Sequence, residues 1–122
     1  MIGYVTLGTK DMARGAKFYD AIAKEMGIGR MMEDPQFIAW GEEGGAPGIG
    51  LTIPWDKNPA TVGNGTMVAL EAKSKEQVDR IYEIAMANGG SDEGAPGQRF
   101  ENFYAGYFRD PDGNKLNAFF SG

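Results

Sequence analysis

Displacing the chain on itself by 63 residues lays Tyr4-Val5 on Met67-Val68, Asp11 on Ser74, Tyr19 on Tyr82 and Gly27 on Gly90. Further along the displacement becomes 67, so that Phe37-Ile38-Ala39-Trp40 falls on Tyr104-Ala105-Gly106-Tyr107 and Gly50 on Asn117. A repeat at half-length is too long for a solenoid unit and suits a duplicated module. The 122 residues make one domain, residues 1–122, built of modules 1–53 and 66–122 with a linker at 54–65 rich in Pro, Asn and Gly.

Each module reads as strand, helix and three strands. Ile2 to Gly8 alternates, with Val5 and Leu7 on one side and Tyr4 and Thr6 on the other. Asp11 is a helix N-cap, Met12, Ala16, Tyr19, Ala23 and Met26 follow at helical spacing, and Gly27 ends the run. Strands two and three are expected near Arg30 to Glu33 and Phe37 to Trp40, and the fourth carries Ile49, Leu51 and Ile53 on one face. In the second module Ser74 and Gln77 form a capping box before Val78, Ile81, Tyr82 and Ala85. A short strand near Ser91 and a loop over Gly94 to Asn102 come next. The final hairpin turns at Asp110-Pro111-Asp112-Gly113.

Composition removes whole classes of chemistry. The chain has no Cys and no His, so disulfides, thiolate catalysis and His-assisted nucleophiles are excluded. Any metal site would rest on carboxylates, amides or Tyr, a poor set for zinc. Twelve basic against 17 acidic side chains argue against nucleic acid. No run approaches the roughly 20 apolar residues of a membrane span. The N-terminal residues have neither the basic region nor the cleavage site of a signal peptide, which predicts a cytoplasmic protein.

The two modules, Tyr4-Val5-Thr6-Leu7 before Asp11, Phe18-Tyr19, Met67-Val68-Ala69-Leu70 and the run Gly106 to Leu116 together resemble the glyoxalase/bleomycin-resistance/dioxygenase superfamily over essentially the whole chain. The resemblance implies an α+β fold of two βαβββ half-barrels, helices outside and concave faces lining a cleft. Alternation then sends Val5, Leu7, Ile49, Leu51, Ile53, Val68, Leu70, Leu116 and Phe120 toward the helices. Ile2, Tyr4, Thr6, Gly50, Thr52, Met67, Ala69, Asn117 and Phe119 face the cleft.

Metal-dependent members place His, Glu or Gln on the first and fourth strands of each module. The matching positions here are Tyr4, Gly50, Met67 and Asn117, a set that predicts no metal and no cofactor. Glyoxalase chemistry also uses a metal-bound carboxylate as base, and Asn117 cannot take a proton. Fosfomycin-resistance relatives carry an inward tyrosine ten residues before their last metal ligand, and Tyr107 stands ten before Asn117. By the repeat, Trp40 takes the equivalent place in module one.

The expected ligand-binding set is therefore Tyr4, Thr6, Trp40, Gly50, Thr52, Met67, Tyr107 and Asn117. Its aromatics would stack on a planar or cationic ligand, or equally would fill the barrel. The resulting expectation is a metal-free binder of a small molecule, with a homodimer as partner state. A metal-independent lyase or isomerase using Tyr4 or Tyr107 as acid, and an interaction module without a ligand, are the alternatives. Arg109 is expected to pair with Asp110 across the hairpin, and Trp55 to gate the cleft or anchor a dimer. Glu71 and Glu101 are the nearest carboxylates, on a solvated rim.

Overall fold

The computed structural model describes residues 1–45 and 47–122. Module one contains β1 (Tyr4–Gly8), α1 (Met12–Met26), β2 (Gly29–Asp34), β3 (Phe37–Gly41) and β4 (Gly48–Thr52). Module two contains β5 (Val68–Glu71), α2 (Lys75–Ala87), β6 (Ser91–Phe100), β7 (Phe103–Arg109) and β8 (Lys115–Ser121). The sheets have the same order, β1-β4-β3-β2 and β5-β8-β7-β6, with the first pair of each parallel and the others antiparallel. This is the α+β pair of half-barrels that the resemblance implies, each built of the strand, helix and three strands that the repeat predicts.

The helix ends follow their sequence signals. The Asp11 carboxylate accepts the Arg14 amide at 3.1 Å, and Gly27 leaves α1 at φ 75°, donating its N–H to the Ala23 and Lys24 carbonyls. At α2 the Ser74 hydroxyl accepts the Gln77 amide at 3.0 Å, but the return bond of the box lands one residue early. Gln77 Oε1 accepts from the Lys73 amide at 2.8 Å, and its Nε2 donates to the Glu25 carbonyl of α1 at 3.2 Å. One polar side chain thus caps its own helix and ties it to the other.

A single core lies between the helices and the convex faces of both sheets. Phe18, Tyr19 and Ile22 of α1 meet Ile38, Trp40 and Leu51, and Val78, Ile81 and Ala85 of α2 meet Phe108 and Leu116. Each buried side chain of this kind contributes on the order of 1.5–3 kcal/mol relative to exposure. The aromatic packing repeats with the modules: Tyr19 packs on Trp40 at 5.4 Å between ring centroids, and Tyr82 on Phe108 at 6.5 Å.

That pairing corrects the position of Trp40. Register sets Ala39 opposite Gly50 and Tyr107 opposite Asn117, so the third strands repeat at a displacement of 68 rather than 67. The counterpart of Trp40 is Phe108, and the counterpart of Tyr107 is Ala39. Strand side chains have period two, so a slip of one residue exchanges the faces. Trp40 is 1% exposed on the helix side, where its indole N–H donates to Asp20 at 2.8 Å. It does not line the concave face.

The stretch expected as a loop over Gly94 to Asn102 is mostly strand. β6 runs through residue 100 with three register irregularities against β7, and Asn102 takes a left-handed φ of 62° in the turn. Its Gly and Pro read as breakers, but a bulged ladder accommodates them.

The modules are clasped by the β7–β8 turn. Asp110, buried, accepts from the Tyr19 hydroxyl at 2.7 Å, the Asn114 side-chain amide at 2.8 Å and two backbone amides at 2.9 Å. Asp112 accepts from the Thr9 hydroxyl at 2.6 Å, the Lys10 amide at 2.9 Å and Arg14 Nη2 at 2.9 Å. Burial first, and then the neighbouring Asp110 carboxylate, hold the Tyr19 hydroxyl well above its ordinary pKa of 10.0. Elsewhere the modules meet through α1 against α2 and through Phe18 against Phe108 of β7, 6.2 Å between ring centroids, and among the described residues no strand of one sheet contacts a strand of the other. Neither helix is long and apolar enough to cross a membrane.

Candidate functional site on the concave faces

Module one presents a concave face of small and apolar groups. Tyr4, 65% exposed, and Thr6 stand on β1, Phe37 and Ala39 on β3, and Gly48, Gly50 and Thr52 on β4. The Phe37 ring lies over Gly50, only 2.7 Å from where a Cβ would stand. Any side chain at position 50 would displace that ring. Thr52 spends its hydroxyl on backbone carbonyls, donating to Ile53 at 2.9 Å and Gln36 at 3.3 Å. Met31 and Met32 of β2 extend the face and are exposed.

Module two presents a different face on the same scaffold. Met67, just before β5, and Ala69 within it are exposed, while Asn117 is only 2% exposed on β8, between Ala69 of β5 and Tyr107 of β7 in register. Its Oδ1 is buried with no hydrogen-bond partner among the described residues. Such an unmet acceptor costs about 1–3 kcal/mol. Tyr107 is half-buried, with Arg99 5.4 Å from its ring centroid on the β6 side and Lys115 5.8 Å away on the β8 side. Cations of the protein already hold the places where a cationic ligand would stack. Farther along, Phe103 stacks on Phe119 at 5.5 Å and touches Phe100 at 5.9 Å.

Of the expected residues, Tyr4, Thr6, Gly50 and Thr52 share one face and Met67, Tyr107 and Asn117 the other. Trp40 belongs to neither. Arg109 does tie the hairpin, but through the Gly113 carbonyl at 2.8 Å and a salt bridge to Glu93 at 3.1 Å, not through Asp110. Trp55 is 96% exposed just beyond β4. Arg99, Lys115 and Phe37 were missed. Lys115 and Phe37 were reachable by alternation from Asn117 and from the true strand-three register, whereas Arg99 lay within the supposed loop.

The four positions matched to metal ligands do not fit a divalent ion. One has no side chain and is roofed by Phe37, one is a thioether, one a tyrosine and one an amide. Among the described residues no three Asp or Glu side chains come together as a ligand group. The tyrosines bonded to carboxylates, Tyr19 to Asp110, Tyr82 to Asp92 and Tyr104 to Asp79, all lie on the helix side. A groove of about 870 Å³ between α1 and β2 is also on that side. There Arg30 bridges Asp20 and Glu33, and Arg30 is the main cause of the lowered Asp20 pKa.

Residues 1–118 match the profile of the Glyoxalase/Bleomycin resistance protein/Dioxygenase superfamily. A glyoxalase/bleomycin resistance protein from Albidiferax ferrireducens T118 is 38% identical with a TM-score of 0.89, over 98% of this chain and 97% of that one. A glyoxalase-related enzyme from Fulvimarina pelagi superposes with a TM-score of 0.78 at 20% identity, covering 99% and 88% of the two chains. Lactoylglutathione lyase from Agrobacterium tumefaciens has a TM-score of 0.69 at 21% identity, covering 98% and 92%. No curated protein matches the sequence.

Proposed function

The chain belongs to the glyoxalase/bleomycin resistance/dioxygenase superfamily, and from that premise we propose that it binds a small molecule without a metal ion, in a cleft completed by a second copy of itself. The observation that carries this reading is the state of the four ligand positions, Tyr4, Gly50, Met67 and Asn117. None offers an anionic donor, yet they remain on concave faces that keep exposed apolar surface at Tyr4, Met31, Met32, Met67 and Phe100. A closed structural core would have covered those groups.

Exposure and symmetry support the second copy. One chain exposes 7080 Å², above the about 6400 Å² usual for a compact monomer of this mass. Its two concave faces do not close on each other. A two-fold axis that sets module one of one copy against module two of the other closes two equivalent clefts at once. The Trp55 side chain, beside β4, supplies an aromatic anchor for such an interface. The ligand is then a cytoplasmic small molecule held between unlike faces.

Sedimentation equilibrium at micromolar concentration tests the shared cleft. The expected mass is twice the 13.2 kDa of one chain, with Trp55 protected from aqueous quenchers. A single-chain mass would remove the second copy from the proposal.

A further inference from the structure

We infer that the concave face of module two takes an organic anion of defined order: a charged end, then a hydroxyl or N–H donor, then an apolar planar body. This rests on the reading that the concave faces are ligand surfaces, and it names the chemistry of one of them.

Three observations align along β8. At one end Lys115 and Arg99 flank Tyr107, and among the described residues neither cation is within ion-pair distance of a carboxylate. Arg99 is oriented by the Ala95 carbonyl at 2.6 Å and the more distant Gly94 carbonyl at 3.4 Å. The third cation near this end, Arg109, is spent on Glu93. Next comes Asn117, whose buried Oδ1 lacks a donor. Beyond it lies the aromatic slab of Phe119, Phe103 and Phe100.

Side chains two residues apart on a strand stand about 7 Å apart on one face. Lys115, Asn117 and Phe119 are therefore spaced for one extended ligand, with the lysine stem shortening the first step. Glu71, the carboxylate on β5, is in register with Phe119. It stands at the aromatic end, away from the cations, and so favours one direction of binding. The buried amide is the decisive element. An acceptor held dry and unpaired discriminates for a ligand donor, because a ligand lacking one leaves it unpaired.

Phenyllactate carries the three parts in this order, 3-phenylpropanoate lacks only the hydroxyl, and 2-phenylethanol lacks only the carboxylate. Titration of the isotope-labelled full chain, followed by NMR, should show phenyllactate shifting the Asn117 side-chain amide and the Tyr107 ring. It should bind tighter than either comparison molecule by about fivefold or more, the worth of one hydrogen bond. Lys115→Gln and Arg99→Gln should each weaken phenyllactate and leave 2-phenylethanol unchanged. Asn117→Leu should erase the advantage over 3-phenylpropanoate while the melting temperature holds or rises, so that unfolding does not explain the loss. Equal binding of all three molecules on this face would overturn the inference and leave the concave-face reading standing. No perturbation on either concave face by any of them would overturn both.

Discussion

The two modules are alike where they face the helices and unlike where they face away. Tyr19 on Trp40 is answered by Tyr82 on Phe108, Leu51 by Ala118, and both sheets share one strand order. On the concave side Ala39 faces Gly50 in module one, where module two sets Tyr107 against Asn117, and Gly48 is answered by Lys115. Packing against a helix leaves a position little freedom, because interiors are filled at crystal-like density. The other face is released from that demand and is free to differ between the modules. In module one that face is small and roofed by Phe37, and in module two it is cationic, aromatic and short of one hydrogen-bond donor.

The largest expected effect separates the two sides of strand three. Trp40→Ala should cost roughly 3–5 kcal/mol, the range for a buried aromatic cut to Ala, with loss of the Asp20 contact included. Tyr107→Ala, on the partly open face, should cost under about 1.5 kcal/mol, since truncation there leaves little dry void. Urea melts with unchanged slopes measure both. Similar losses for the two variants would abolish the distinction between the faces.

Next in size is the clasp that joins the modules. Tyr19→Phe removes one donor from the buried Asp110 and should cost about 1–3 kcal/mol. The sign with pH is fixed by the raised Tyr19 pKa. Above the ordinary value of 10.0 the unfolded chain loses the phenolic proton that the folded chain retains, so stability falls as pH rises from there toward the folded value. Melting temperatures across this alkaline range should drop more steeply for the natural sequence than for Tyr19→Phe. Parallel curves would show that the buried hydroxyl contributes no such linkage.

The smallest effect has the opposite sign. Asn117→Leu replaces an unpaired buried acceptor with an apolar side chain of similar size and should stabilise by about 1 kcal/mol. A clear destabilisation would mean that the amide is paired in solution.

Most of this architecture was legible in the repeat. Strands one and four alternate cleanly, so the faces of Thr6, Gly50, Ala69 and Asn117 followed from period two once the resemblance had placed the helices outside the half-barrels. Strand three failed because a displacement of 67 sets Phe37 on Tyr104 and Trp40 on Tyr107, a better match in residue type than the true displacement of 68, and the choice between them reverses every side chain. Trp40 meets an aromatic residue in either alignment, Tyr107 or Phe108, and only the ladder pairing decides between them. β6 was hidden by Gly94, Pro96 and Gly97, whose breaker chemistry is overruled by pairing with β7. With that strand went Arg99, and with Arg99 the cationic character of the face. The ion-pair partner of Arg109 was hidden likewise, since Glu93 lies on the same strand.

The proposed binding on these faces without a metal ion is open to elemental analysis. Protein equilibrated with zinc, nickel, manganese and iron, then dialysed, should retain far less than one ion per chain. One stoichiometric transition-metal ion per chain, lost on replacing Asn117 or Tyr4, would mean that the concave faces hold a metal after all.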